Sequence, residues 1–204
     1  LDKLLLFDFD GVVIDSLEVY EGTVRDCLMK IGQPLVKTRE DFLALFEENF
    51  YEALVKKGVN LDLFMEASVD ILARIDYSKI KPFPAVLPVL CQLRERHRMV
   101  VISSSDAREI AQITERFQIN GVFEEVLGSD RGFSKKEKIH YCLDKYGVKK
   151  ENTYYICDTT GDIKEAKEVG IKTVAVSWGW HEKGKLLAAG PDYLIERPEE
   201  LLCL

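Results

Sequence analysis

The chain has 204 residues, with 28 Lys and Arg against 35 Asp and Glu, and so a formal charge of −7. An acidic chain with no long run of Lys and Arg lacks a basic face for phosphate backbones, which excludes a general nucleic-acid binder. With 47% hydrophobic and 31% charged residues it is neither disordered nor short of core, and apolar stretches such as Leu4 to Phe7 fall far below the ~20 residues that span a bilayer.

The first predicted strand is Leu4 to Phe7, and it ends in Asp8, Asp10 and Gly11. From Ser16 to Lys81 only helical periodicity follows, over Val19 to Ile31, Glu40 to Lys57 and Leu61 to Ile75. This stretch closes at Lys81-Pro82-Phe83-Pro84, where two prolines stop a helix and force an extended link. A helix over Val86 to Arg96 then leads to a strand, Met99 to Ile102, which is followed by Ser103, Ser104, Ser105 and Asp106. A helix over Arg108 to Arg116 precedes a strand at Val126-Leu127. The Lys135-Lys136 pair opens a helix that runs from Lys136 to Lys145. The strand Tyr154 to Cys157 ends at Asp158, a helix spans Asp162 to Val169, and two strands remain, Thr173 to Val176 and Tyr193 to Ile195.

Most of these strands are apolar at consecutive positions, as expected of parallel strands buried on both faces. Alternation with helices predicts an α/β fold built on a doubly wound, mostly parallel sheet. The core is expected over residues 1–15 and 82–204, with residues 16–81 as a small helical insertion.

In such a sheet ligands bind beyond the carboxyl ends of the strands, where the polar residues of this chain gather. Carboxylates converging from two strand ends repel one another, and a hard divalent cation such as Mg²⁺ relieves that cost. A cation beside a Ser hydroxyl, free amides at a helix start and a Lys is suited to a phosphoryl group. Asp8 and Asp10, two apart on an extended segment, point the same way. One can attack phosphorus while the other handles the proton of the leaving group.

Other residues have plainer readings. Ser105 and Asp106 read as a helix cap, Lys136 and Lys138 as a solvated helix face, and Asp15-Ser16 as a turn. Phe42, Phe46, Phe50, Tyr51 and Phe64 read as the core of a helical bundle, and Trp178-Gly179-Trp180 as loop packing. His97, His140 and His181 have no partner at a metal-ligand spacing. Five cysteines at wide spacings, Cys27, Cys91, Cys142, Cys157 and Cys203, are expected as buried reduced thiols, which points to the cytoplasm.

Asp8-Phe9-Asp10-Gly11-Val12-Val13 resembles the DxDGT/V signature of the haloacid dehalogenase superfamily. Ile102-Ser103-Ser104 resembles its second motif, Lys135 or Lys136 the third, and Asp158-Thr159-Thr160-Gly161-Asp162 the fourth, all in family order. The segment 16–81 stands where the family places a type-one helical cap, and Gly170 to Gly179 resembles the phosphoglycolate-phosphatase-like branch. Departures are Cys157 before the fourth-motif Asp and Ala85 after the cap-return Pro, both usually Gly, and Ser104 where many members have Asn.

The resemblance implies Asp8 as nucleophile and Asp10 as general acid and base. It implies Mg²⁺ on the Asp8 and Asp158 carboxylates and the Asp10 carbonyl, with Asp162 holding a metal-bound water or the Lys. Ser103 and the Ser104 amide would bind phosphoryl oxygens and Lys135, preferred over Lys136 on spacing, would offset their charge. The expected activity is hydrolysis of a small phosphorylated metabolite, of the phosphoglycolate or sugar phosphate class, through an aspartyl-phosphate. The protein is expected to be a cytoplasmic monomer or small homo-oligomer that uses neither nucleic acid nor membrane. Rival readings are a phosphomutase, a haloacid dehalogenase and a phosphoaspartate signalling module.

Overall fold

A computed structural model describes residues 3–204, so the first two residues of the expected core segment lie outside it. In chain order the strands are β1 (Leu4–Phe7), β2 (Ile14–Asp15), β3 (Lys81–Pro82), β4 (Arg98–Ile102), β5 (Glu125–Leu127), β6 (Thr153–Cys157), β7 (Lys172–Val176) and β8 (Tyr193–Ile195). The helices are α1 (Leu17–Lys30), α2 (Arg39–Ala44), α3 (Phe50–Lys56), α4 (Leu61–Leu72), α5 (Val86–Leu93), α6 (Ala107–Arg116), α7 (Lys135–Tyr146), α8 (Thr160–Val169) and α9 (Lys183–Ala188).

Six strands form one sheet in the order β5-β4-β1-β6-β7-β8, and every pairing in it is parallel. Its apolar runs are consecutive because each face of the sheet has its own core. Leu5 and Phe7 of β1 pack with Val89 and Leu90 of α5 and Ile110 of α6, while Leu4 and Leu6 pack with Ile139 of α7 and Ile163 and Ala166 of α8. The first core continues into α1, α3 and α4 through Val24, Leu28, Leu54 and Phe64, so sheet and insertion share one apolar interior.

Three features depart from the sequence reading. The single helix expected over Glu40 to Lys57 is two, α2 and α3. Asn49 breaks it by accepting from the Tyr51 and Glu52 amides at 3.1 and 3.3 Å, which starts α3 afresh. The link at Lys81-Pro82 is a strand: β3 pairs antiparallel with β2, placing Ile14 opposite Pro82 and Asp15 opposite Lys81, so the two chain crossings into the insertion are stitched together. Cys27, Cys142 and Cys157 are buried, but Cys91 and Cys203 are exposed on the surface, so the expectation of five buried thiols holds for three. Ala85, the departure after the cap-return Pro, caps α5 in the left-handed region at φ +64°, where a side chain costs about 1 kcal/mol. Among the described residues no helix is long and apolar enough to cross a membrane.

Gly161, in the first turn of α8, is where the insertion seats most tightly. Its amide donates to the Phe46 carbonyl at 2.9 Å, and a Cβ there would lie 2.2 Å from the Glu48 carbonyl oxygen. Gly161→Ala is therefore expected to cost about 1–3 kcal/mol through overpacking against backbone, and to speed hydrogen exchange in residues 39–56 while the sheet stays protected. Unchanged exchange in that segment would show that the seat does not depend on this contact.

Candidate active site

Three neighbouring strands, β4, β1 and β6, carry the polar residues at their carboxyl ends. The parallel ladder runs one residue past β1, with the Asp8 amide donating to the Ile156 carbonyl at 2.9 Å. The chain then turns at Gly11, with φ +78°. A Cβ on Gly11 would lie 1.9 Å from Asp158 Oδ2, and one on Gly179 would lie 2.3 Å from Asp158 Cβ. The Asp158 carboxylate is thus held between two glycines, which gives Gly179 a structural task beyond loop packing. The Trp180 amide donates to Asp158 Oδ2 at 2.7 Å, whereas Asp158 Oδ1 is buried without a partner.

Lys135, not Lys136, reaches this cluster. Its Nζ lies 3.0 Å from Asp8 Oδ2 and 2.8 Å from Asp162 Oδ1, while Lys136 pairs with Glu168 at the surface. Asp8, Asp158 and Asp162 are buried and each offers an oxygen within 4.8 Å of the others. Burial raises the Asp8 pKa well above the ordinary carboxylate value; Lys135 opposes this, and Asp162 and Asp158 add to it. Burial also raises that of Asp158, against the Trp180 amide. Burial works against the charge on Lys135, yet Asp162 and Asp8 hold its pKa above the usual lysine value. One lysine for three buried carboxylates, with an orphaned oxygen among them, is a donor set that fits a hard divalent cation.

Asp10 stands beside this cluster and is held by hydroxyls. Ser16 Oγ donates to its Oδ1 and Ser105 Oγ to its Oδ2, each at 2.7 Å. Burial raises its pKa, against those two hydroxyls. The reading of Ser105 as a cap is therefore corrected. Asp106 caps α6 through a reciprocal box with Glu109, and Ser105 turns inward. Ser16 likewise makes no side-chain cap bond at the start of α1. Ser103 Oγ accepts from the Ser105 amide at 3.0 Å and retains its own hydrogen to donate. The Ser104 carbonyl accepts from the Tyr51 hydroxyl at 2.8 Å, which ties β4 to α3.

Lys138 is a second correction. It is buried, not solvated, and its Nζ donates to the Ser103 carbonyl at 2.8 Å. Burial, and then Lys135, pushes its pKa down to about 8. Its position three residues after Lys135, on one helical face, was the signal for it.

A cavity of about 790 Å³ opens onto Asp8, Asp10, Ser103, Ser104 and Lys135, with Phe42, Phe46, Phe50, Tyr51, Phe64 and Trp180 among its walls. Of the aromatic residues read as bundle core, Phe42, Phe50, Tyr51 and Phe64 are buried and Phe46 is half-buried, and all five also face this space. His181 is a satisfied core residue: its Nδ1 accepts from the Thr160 amide at 3.1 Å and its Nε2 lies 3.0 Å from the Leu43 carbonyl.

Residues 5–176 match the haloacid dehalogenase-like hydrolase family, and the chain belongs to it. It is 28% identical to a phosphoglycolate phosphatase of Synechococcus elongatus, over 98% of this chain and 95% of that protein. It is 26% identical to one of Aquifex aeolicus, over 99% and 96%. Among solved structures, a haloacid dehalogenase-like family hydrolase from Streptococcus pneumoniae aligns with TM-score 0.76 at 24% identity, over 98% of this chain and 97% of that one. A hydrolase from Pseudomonas syringae aligns with TM-score 0.81 at 18% identity, over 98% and 96%. At those identities the structures share the fold.

Glu109 also lines the cavity and did not figure in the sequence reading. The Tyr77 hydroxyl donates to its Oε1 at 3.0 Å, and burial pushes its pKa up from 4.5 to about 7. Between those two values the folded protein holds more protons than the unfolded chain, so this group removes stability as pH rises from 4.5 through 7. Glu109→Gln is expected to match the wild type near pH 4.5 and to be about 3 kcal/mol more stable at pH 8. Urea unfolding at both values measures this, and parallel pH slopes would return Glu109 to the ordinary carboxylate range.

Proposed function

We propose that this hydrolase is a Mg²⁺-dependent phosphatase of small phosphomonoesters that works through an aspartyl-phosphate on Asp8. The observation that carries the reading is the paired setting of two carboxyls on the lining of one cavity: Asp8 beside Lys135, and Asp10 held by two hydroxyls. The names of the relatives point to phosphoglycolate as a reference substrate, with sugar phosphates as the second class.

An Asp8 carboxylate oxygen attacks phosphorus; the new O–P bond forms as the bond to the leaving oxygen breaks. Asp10 gives its proton to the departing alkoxide, a task for which a carboxyl of raised pKa is suited. In the second step Asp10 takes a proton from water as the water oxygen attacks phosphorus, and the bond to Asp8 breaks to release inorganic phosphate. The Ser103 hydroxyl and the Ser104 amide hold phosphoryl oxygens, and Lys135 offsets their charge. The carboxylates of Asp8, Asp158 and Asp162, with the Asp10 carbonyl, would hold Mg²⁺ directly or through water. When bound, that ion neutralises phosphoryl charge next to the nucleophile. Residues 16–81 would act as the cap that excludes bulk water from the reacting atoms.

Asp8→Asn keeps the side-chain size and removes the nucleophile, so turnover is expected to fall by at least ~1000-fold with the fold intact. Asp10→Asn separates the steps. With nitrophenyl phosphate, whose leaving group hardly needs a proton, it is expected to release about one phenolate per site in a burst and then to stall, with an adduct on Asp8. With an alkyl phosphate the burst should vanish or slow greatly. Rapid mixing and mass measurement of the trapped protein check both. Equal slowing of the two substrates without an adduct would remove Asp10 from proton transfer.

A further inference from the structure

We propose that the leaving-group side of the site takes a phosphomonoester with a bulky, uncharged, apolar or aromatic leaving group, and disfavours one that carries a second negative charge. This rests on the phosphatase reading above and departs from it on the leaving group, since phosphoglycolate carries the disfavoured charge.

A two-carbon acid would fill a small part of the 790 Å³ space, which is in the range of pockets that enclose whole organic ligands. The walls away from the strand ends are mostly apolar, with Phe42, Phe46, Phe50, Phe64, Leu72 and Trp180 supplying much of the surface and Thr23, Glu66 and Ser68 interrupting it. They are also braced. Phe46 stacks on Phe50 with ring centroids 5.1 Å apart and meets Trp180 edge-on at 4.9 Å. Aromatic walls that support one another keep their shape when the space is filled.

Charge on the lining argues the same way. Among the described residues, the cations that line the cavity are Lys135 and Arg108. Lys135 is engaged by Asp8 and Asp162. Arg108 pairs with Asp106, and its side chain is 91% exposed, so its charge belongs to bulk water. Asp10, Glu66, Asp106 and Glu109 also line the space. A carboxylate on the leaving group would thus enter an apolar chamber with no dry cation to receive it and with Glu109 nearby. The Tyr20 hydroxyl, on a buried residue of the same lining, can bond a neutral oxygen or nitrogen instead.

The test compares 2-phenylethyl phosphate, ethyl phosphate and phosphoglycolate with Mg²⁺ at pH 8, where Glu109 is largely charged. All three leave as alkoxides, so intrinsic reactivity does not decide the ranking. The phenylethyl ester is expected to exceed ethyl phosphate in kcat/KM by at least ~10-fold, from burial of its ring, and phosphoglycolate to fall no higher than ethyl phosphate. Glu109→Gln should narrow the gap between phosphoglycolate and the phenylethyl ester by several-fold. Calorimetric titration of the Asp8→Asn protein with the same three compounds should give the same ranking in Kd. Turnover with no preference, or with phosphoglycolate best, would overturn this proposal and leave the phosphatase reading standing. Absence of turnover with the Kd ranking intact would overturn the phosphatase reading and leave the binding preference. Equal Kd values would overturn the preference whatever the kinetics.

Discussion

The structure depends on a charge imbalance among buried side chains. Asp8, Asp158 and Asp162 are all buried around one lysine, and three carboxylates in a medium of low dielectric cost far more than one ammonium repays. The fold nevertheless brings them together. Asp8 continues a central strand, Asp158 is wedged between two glycines, and Asp162 lies in the first turn of a helix. A site that keeps such a cluster preformed keeps it for a charge that arrives from outside. In the proposed reaction that charge is a divalent cation, with the phosphoryl group beside it.

The insertion is bound to this cluster mainly through backbone and neutral groups. Asn49 Nδ2 donates to the Phe133 carbonyl at 2.9 Å and to Glu165 Oε2 at 3.1 Å, and Glu165 in turn accepts from the Lys135 amide at 3.1 Å. The Phe46 carbonyl receives the Gly161 amide one residue before Asp162. The segments that close the chamber therefore rest on the same two helix starts that deliver Lys135 and Asp162. A change in how the insertion sits would be felt at the charged cluster through those contacts.

The sheet was legible because both of its faces are buried, so its strands are uninterrupted apolar runs, and an Asp or Ser where a run stops marks a strand end. Parallel topology brings together the strand-end residues Asp8, Asp10, Ser103 and Asp158, with Asp162 beyond β6, whereas the choice of Lys135 over Lys136 came from the family spacing. What stayed hidden was set by distant partners. Nothing near Ser105 or Ser16 in sequence reveals that both hydroxyls turn to Asp10, 95 positions from Ser105. A cap reading won for Ser105 and a turn reading for Ser16 because those are the commoner uses of such serines. Lys138 looked solvated because a lysine is, unless a carbonyl such as that of Ser103 waits for it. The break between α2 and α3 was missed for a similar reason. Asn49 is an ordinary helical residue by periodicity and a cap only in its actual conformation.

The lining of the chamber divides by charge according to its origin. Every ionisable acid or base on it comes from the strand ends and α6 and α7, apart from Glu66 and the weakly acidic side chains of Tyr20, Cys27, Tyr51 and Tyr77; the rest of the insertion's contribution is uncharged. This partition has a physical consequence. Substitutions of lining residues in α1 to α4 that leave the contacts of Phe46 and Asn49 in place change the shape and polarity that a leaving group meets more than the balance among Asp8, Asp158, Asp162 and Lys135. Substitutions at the strand ends disturb that balance whatever the leaving group is. In the proposed reaction the phosphoryl half is therefore fixed by electrostatics and the leaving-group half by packing. The second half is where proteins with this same sheet have room to differ.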